Sequence, residues 1–447
     1  MLFKHRATTL AVLMALTGFS AVAHAASSDD SLKSFIMDSK VDGQVRAYYF
    51  DRFFGKNATN LSAFSLGGYI NAHTASLAGF SADVGFYTAN SLGANRVNPD
   101  VTLMGKGTSI NALGQAYLQY EIPHALLIRA GNQIVNTPWV NGSDSRVIPA
   151  TYQGVFAQVS PYCGWNIYGM RIFRWKSRTS ADYYRDNLYY QTGFDGDPIY
   201  GGSAVVPNTD NAANGILAFG TSYKRYGIHA QAWYYNFYQF TQTVYGDAKY
   251  TLKTGSGVDP FLGAQINREW ESNSLLNTSY APGTKPIDGF KGNGVNSTAW
   301  GVIGGIDYDV GSALLGKGQL SAAYNEILYH QGAVGGGAIV SPYTVGYATD
   351  PLYTTSMIRG LVEMGPGHGF KIKWTQHFLS NQFLFMAAYA QYHLQTAGYA
   401  NDIYGDLTYF PQGWIKGLSI RDRVEVAHGD LSTGYFIYNR VMLTYDF

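Results

Sequence analysis

Hydrophobic and polar residues alternate with a period of two through most of the chain. In the closing stretch "YNRVMLTYDF", Val441, Leu443, Tyr445 and Phe447 share one parity, while Arg440, Thr444 and Asp446 take the other. Side chains alternate faces along a strand, so this stretch has one apolar face and one wet face. Similar segments lie at 43–54, 64–74, 78–88, 110–121, 124–134, 150–159, 164–178, 213–224 and 227–238. They continue at 243–252, 260–271, 297–309, 318–330, 370–379, 382–393, 401–410, 417–427 and 436–447. About ten residues is the length a tilted strand needs to cross a bilayer. The alternation predicts eighteen strands, an all-β antiparallel transmembrane barrel with both ends of the barrel chain on one side.

The connections sharpen this picture. "IPH" (122–124), "PYCG" (161–164), "RYG" (225–227) and "PQGWIKG" (411–417) read as tight turns. Long links at 89–109, 179–212, 272–296 and 331–369 fall only at every second connection. Short turns on one rim and long loops on the other are the expected asymmetry of an outer-membrane barrel. The long links are rich in Gly, Asn, Asp and Pro, which predicts flexible surface loops. Residues 26–42 are expected on the periplasmic side.

Composition agrees and narrows the compartment. Tyr (36), Phe (24) and Gly (52) are abundant, while charged residues make up 14%, against about 25% in an ordinary soluble domain. A net charge of +1 argues against a nucleic-acid partner. "MLFKHRATTLAVLMALTGFSAVAHA" has a basic start, a short apolar run and the small-x-small ending Ala23-His24-Ala25. It reads as a signal peptide over 1–25, leaving 26–447 as a single barrel domain. No later stretch is long and apolar enough for a transmembrane helix. Cys163 is the only cysteine, so no internal disulfide and no cysteine-based metal cluster is expected.

Charge placement says which face is wet. Arg46, Tyr48, Phe50 and Arg52 oppose Val45, Ala47 and Tyr49; Lys371 and Lys373 oppose Phe370, Ile372 and Trp374; Arg421, Arg423 and Glu425 oppose Leu418, Ile420, Val424 and Val426. Arg129 and Arg440 also alternate with apolar neighbours. A cation on the lipid face near the midplane costs about 2–4 kcal/mol, so these faces are expected to line the interior. There they would concentrate small anions, or they would pair with interior carboxylates such as Glu363, Glu425 and Asp446 and only brace the wall. Asp422 breaks the pattern by falling on the apolar parity. Either a bulge turns it inward or it faces a neighbouring subunit.

Other motifs carry little. "GPGHGF" (365–370) and "TGSGVDPFLG" (254–263) lack the strand–helix context of a phosphate loop and read as turns. The ten histidines form no metal-ligand spacing, and there is no G-x-S-x-G elbow, so neither a metal, a cofactor nor a catalytic residue is expected.

The segment "RAGNQIVNTPWVNGSDSRVIPATYQG" (129–154) resembles one in the OprD family of outer-membrane porins, where a TP…D-R…P loop joins two strands. The similarity extends to "VRAYYFDRFF", "WYYNFYQFTQTVYGDAKY", "KGLSIRDRVEV" and "RVMLTYDF". The resemblance implies an eighteen-stranded barrel embedded in outer-membrane lipid, a homotrimer, and passive uptake of small carboxylate-bearing solutes. It implies a ladder of basic residues, to which Arg46, Arg52, Arg421 and Arg423 correspond by motif. Lys371 and Lys373 follow from parity, with Arg129 and Arg440 beside them. The loop 135–149, with Thr137, Pro138, Asp144, Arg146 and Pro149, would form the constriction, its prolines limiting backbone freedom. Two other readings remain: a weakly selective general pore, and a plugged barrel that displays its loops as an adhesin.

Overall fold

The computed structural model describes residues 32–55, 59–105, 107–143, 145–189, 214–271, 294–343, 349–395, 398–413, 415–429 and 435–447. The expected signal segment 1–25 lies outside the described residues, as do Asp144, 190–213 and 272–293.

A short helix, α1 (Leu32–Met37), precedes eighteen strands. These are β1 (Lys40–Phe54), β2 (Leu61–His73), β3 (Phe80–Asn90), β4 (Ser109–Ile122), β5 (Leu126–Gln133), β6 (Thr151–Tyr162), β7 (Trp165–Lys176), β8 (Ile216–Arg225) and β9 (Ile228–Phe237). The second half comprises β10 (Thr241–Thr251), β11 (Val258–Glu271), β12 (Asn296–Asp309), β13 (Leu315–Ile327), β14 (Gly367–Phe378), β15 (Phe383–Leu394), β16 (Gly398–Tyr409), β17 (Leu418–Gly429) and β18 (Tyr435–Asp446). Each strand pairs antiparallel with its sequence neighbours, and β1 closes the ring against β18 from Gln44↔Asp446 to Phe54↔Phe436. Closure leaves no sheet edge, so every strand finds its backbone partners inside the barrel. No strand end departs from the alternation reading by more than three residues. Gly367–Phe370 and Val258–Gly263, read as turns, instead begin β14 and β11.

The period-two alternation sorts the side chains as the charges require. Val441, Leu443, Tyr445 and Phe447 are exposed, as are Ile70, Phe86, Leu118, Phe219, Leu262 and Ile403 on other strands. Arg46, Tyr48 and Phe50 are buried on the inner face. Moving one large apolar side chain out of water is worth about 1.5–3 kcal/mol, so an apolar belt of this extent belongs against hydrocarbon.

The short rim carries β-turns of the hairpin type. At "RYG", Tyr226 and Gly227 both have positive φ (54° and 79°) between the paired residues Arg225 and Ile228. That is the mirror-image turn whose twist matches antiparallel strands, and glycine adopts it without strain. A Cβ on Gly227 would lie 2.3 Å from the Thr251 carbonyl, so the site accepts little else. Helix α1 sits at this same rim, where the Phe35 carbonyl accepts a hydrogen bond from the Ala75 amide at 3.1 Å.

The opposite rim departs from expectation. Much of the described length of the long links does not float on the surface but folds into the mouth of the barrel alongside the segment 135–149, while Leu92 and Val97 stay exposed. Trp139, Val140, Tyr189, Ile339, Val340 and Leu361 pack on Ile172, Ile216, Trp233, Tyr235 and Phe237 of the wall. Leu103, Met104, Val147, Ile148 and Met357 pack on Tyr48, Phe50, Tyr87 and Tyr438. The apolar residues of these links have no regular period, so their inward burial leaves no strand or helix signature. Burial against the wall replaces the loop mobility that Gly-rich composition suggested.

Candidate functional site

Inward parity brings most of the expected cations onto one wall. Lys371 and Lys373 stand on β14, Arg421 and Arg423 on β17, Arg440 on β18, and Arg46 and Arg52 on β1. The ring order makes this a continuous sector from β14 through β18 to β1. Arg129 also points inward but sits apart on β5, where its Nε donates to Gln119 Oε1 at 2.7 Å and its guanidinium lies over Tyr117.

The cations on the basic wall are not equivalent. Arg421 grips Asp406 with two bonds, Nε–Oδ1 at 2.8 Å and Nη2–Oδ2 at 2.5 Å, and Arg423 Nε lies 3.0 Å from the same carboxylate. Arg52 Nε lies 2.7 Å from Asp100, and its Nη2 donates to Thr102 Oγ1 at 2.6 Å and to Tyr438 at 3.0 Å. Lys371 Nζ donates to the Thr355 carbonyl at 2.7 Å. Arg46 Nη1 donates to the Arg146 carbonyl at 2.5 Å. Arg440 is 3% exposed, paired in register with Arg423, and lies over the rings of Phe50 (4.9 Å) and Tyr438 (4.2 Å). Its Nε and Nη1 have no hydrogen-bond partner among the described residues.

Bracing therefore does occur, but not with the carboxylates expected from sequence. Glu363 accepts from the Tyr189 hydroxyl at 3.0 Å. Glu425 accepts from Ser356 Oγ at 2.7 Å and the Ile358 amide at 3.1 Å. Asp446 accepts from Gln44 at the rim. Among the described residues the carboxylates within ion-pair distance are Asp100, Asp402 and Asp406, with Arg359 Nε 3.6 Å from Asp402. Two of these were visible in principle, because Asp402 and Asp406 hold the inward parity of "ANDIYGDLTY", the strand adjoining the Arg421–Arg423 strand. Asp100 belongs to a loop and carries no such signal. Asp422 points outward, where Asn439 Nδ2 donates to its Oδ1 at 2.7 Å. The register of β17 is unbroken, so no bulge turns it inward.

The loop 135–149 packs against the inner face of the wall. Thr137 Oγ1 donates to the Val140 carbonyl at 3.0 Å, and Pro138 is half-buried beside a cavity. Pro149 accepts from Lys176 Nζ at 3.2 Å. Arg146 Nε donates to the Thr102 carbonyl, and its guanidinium lies over Phe50 at 5.1 Å, so this loop meets the basic wall.

Facing the basic wall, nine strands round the ring from β1, is β10. Here a cavity of about 580 Å³ is lined by Asn136, Thr137 and Pro138 of the loop, by Tyr245, Asp247 and Lys249 of β10, and by Tyr353. Gln231 Nε2 donates to Asp247 at 2.7 Å, and Lys249 Nζ lies 4.7 Å from the Phe261 ring centre. This wall, with its amides and mixed charge, went unnoticed in the sequence because, beyond Tyr245, Asp247 and Lys249 of β10, its lining comes from other strands and the inward loops. A solute between the walls would meet cations on one side and hydrogen-bonding groups on the other.

The family model described as outer membrane porin, OprD family, matches residues 33–273. The crystal structure of Pseudomonas aeruginosa OccK9 (OpdG) is similar at TM-score 0.72 and 15% identity, over 92% of this chain and 99% of that one. Acinetobacter baumannii OccAB2 is similar at TM-score 0.72 and 15% identity, over 93% and 99%. Pseudomonas aeruginosa OpdK with vanillate gives TM-score 0.68 at 13% identity, over 92% and 99%. At these identities the structures speak for the barrel fold alone. No curated protein matches the sequence.

Proposed function

The chain belongs to the OprD family of outer membrane porins, and we propose that within it this barrel passes small carboxylate-bearing solutes along its basic wall. As a porin of the bacterial outer membrane it is a passive channel and performs no catalysis. The observation that carries the carboxylate reading is Arg440, buried beside Arg423 with Nε and Nη1 unpartnered among the described residues. A buried donor without a partner costs about 1–3 kcal/mol, more when charged, and a passing carboxylate would satisfy it. The planar guanidinium fork matches a carboxylate bidentately. Arg421, Arg423, Lys373 and Arg46 would extend the path, with Arg52 and Lys371 serving chiefly as braces. Arg129, on its own strand, would act as a separate guide. The inward loop with Thr137, Pro138, Arg146 and Pro149 would narrow the passage; Asp144 of that loop lies outside the described residues. Vanillate, recorded with OpdK, is itself a carboxylate.

Single-channel current in a planar bilayer under a salt gradient tests this. An anion-preferring current interrupted by added small carboxylates is expected. Arg421→Ala with Arg423→Ala should lower the anion-to-cation permeability ratio several-fold while changing conductance less. Unchanged selectivity would refute the basic path, an open channel never interrupted would identify a general pore, and silence would identify a plugged barrel. The trimer belongs to the same proposal. Its subunits would meet on the outer wall, where the Asp422–Asn439 pair sits among apolar neighbours, and light scattering of the detergent-solubilised barrel counts the copies. The signal peptide over 1–25 is checked by N-terminal sequencing of the exported protein.

A further inference from the structure

The barrel carries arginines on its outer wall as well, and these differ from several of the inner ones. Arg52, Arg359, Arg421 and Arg423 each lie within ion-pair distance of a carboxylate. Arg171, Arg174 and Arg268 have no such partner among the described residues. Arg171 is in register with the outward residues Val155 and Leu217, and Arg268 with Val244 and Thr298. Arg174 faces outward because a register shift between Gln153 and Gly154 of β6 places both Phe173 and Arg174 of β7 on the exposed side. Such a bulge re-aims side chains without ending the pairing.

All three stand toward the long-loop ends of their strands, among rings that mark an interfacial level: Phe173, Tyr238, Tyr234 and Trp270. A cation on the outer wall costs about 2–4 kcal/mol at mid-membrane but only about 0–1 near the interface, so this is where it can be kept. The guanidiniums are held ready. Arg171 Nη1 donates to the carbonyls of Ile172 and Ile216 while its plane lies 4.7 Å from both the Phe173 and Tyr238 ring centres. Arg268 Nη1 donates to the carbonyls of Glu269 and Ser297. In each case one nitrogen anchors the group to the wall and the others remain for a ligand.

We propose that Arg171, Arg174 and Arg268 form a docking surface for the phosphate groups of the glycolipid in the outer leaflet of the membrane. Positive charge with no carboxylate partner among the described residues, at headgroup level and on one sector of the wall, is complementary to a phosphorylated lipid surface. The guanidinium fork matches phosphate as it does carboxylate. Arg171 and Arg268 are four strands apart, about 19 Å at the usual strand spacing, so the surface engages more than one phosphate.

The test is native mass spectrometry of the complete detergent-solubilised barrel with diphosphorylated lipid A as the probe. The triple variant Arg171→Gln/Arg174→Gln/Arg268→Gln should retain at least tenfold less of it, with gel mobility of the folded barrel and channel conductance unchanged. Dephosphorylated lipid A should bind the unaltered barrel as poorly. Should the triple variant not fold, Arg171→Gln and Arg268→Gln singly should each weaken binding about threefold. Equal binding by the variants, equal binding of the dephosphorylated lipid, or equally effective competition by phosphatidylglycerol would each overturn the proposal.

Discussion

Two segments enter the lumen from the long-loop rim, and they are held by opposite means. The segment 134–150 is fixed by apolar contacts and by hydrogen bonds whose charged members are Arg and Lys cations: Trp139 is 1% exposed, Val140 and Ile148 are fully buried, Trp139 Nε1 donates to Asn267 Oδ1 at 3.0 Å, and Arg46 and Lys176 donate to the carbonyls of Arg146 and Pro149. The segment 349–366 is fixed largely through buried carboxylates. Asp350 accepts from the Leu352 amide (2.9 Å) and Thr355 Oγ1 (2.7 Å), and Glu363 from Tyr189. On the wall, Asp402 and Glu425 accept from Ser356, and Glu425 also from the Ile358 amide. Apolar docking is nearly indifferent to pH and salt. Docking through buried carboxyls is coupled to proton binding. One barrel thus contains an inward segment held without carboxylates among its described contacts and another whose hold depends on protonation.

The fixed element should give the largest effect when broken. Trp139→Ala removes a buried indole and its hydrogen bond, at a cost of about 3–5 kcal/mol for such truncations. Most of that falls on loop docking rather than on the barrel, whose strands keep their partners. Single-channel conductance should rise by about twofold or more, with the folded barrel's gel mobility unchanged. A conductance equal to that of the unaltered protein would show that 134–150 does not set the bore.

The unequal legibility of the two segments has a physical origin. Strand positions were readable because parity is a local property: Arg421 opposite Ile420 needs no knowledge of the rest of the chain. The inward fold of 134–150 was suggested only by its resemblance to a known loop, not by periodicity. The inward fold of 349–366 was unreadable, since its anchors Tyr189, Asn325 and Glu425 are remote in sequence. The basic wall was legible as a set, whereas its pairing was not. Asp406 could be assigned to Arg421 only once β16 and β17 were known to be neighbours, and Asp100 only once its loop was placed against Arg52.

Acidity should act on the second segment alone. Burial pushes the Asp350 carboxyl up to about 6 and the Glu363 carboxyl well above the usual carboxylate range. Asp350 faces Thr355, the Leu352 amide and Lys371; Glu363 faces Tyr189, Ser341, Asp350 and Glu269. A carboxyl whose pKa is higher docked than undocked takes up a proton on docking. Its contribution is fully present below its ordinary carboxylate pKa and is lost as pH rises through the docked value. For Asp350 that window runs from about 4, the ordinary carboxylate value, to about 6. The open-channel fraction should therefore rise several-fold between pH 4.5 and pH 7, and Asp350→Asn should flatten the lower part of that rise. The Trp139→Ala channel should keep the same pH response superimposed on its larger conductance. A pH-independent current would break the distinction between the two segments.

The smallest effect concerns a bond that joins them. Asn141 Nδ2 of the first segment donates to the Thr349 carbonyl at 2.9 Å, next to Asp350 of the second. Asn141→Ala removes a single neutral hydrogen bond worth about 0.5–1.5 kcal/mol and should change conductance by less than twofold. Its value is as half of a cycle with Asp350→Asn. Residues that share a connection are non-additive by about 0.5 kcal/mol or more, whereas independent sites add. If the bond couples the segments, Asn141→Ala shifts the pH midpoint of the open fraction in the unaltered background and not in Asp350→Asn. If the midpoint stays put in both, the constriction and the proton-linked segment act separately, each set by its own contacts with the wall.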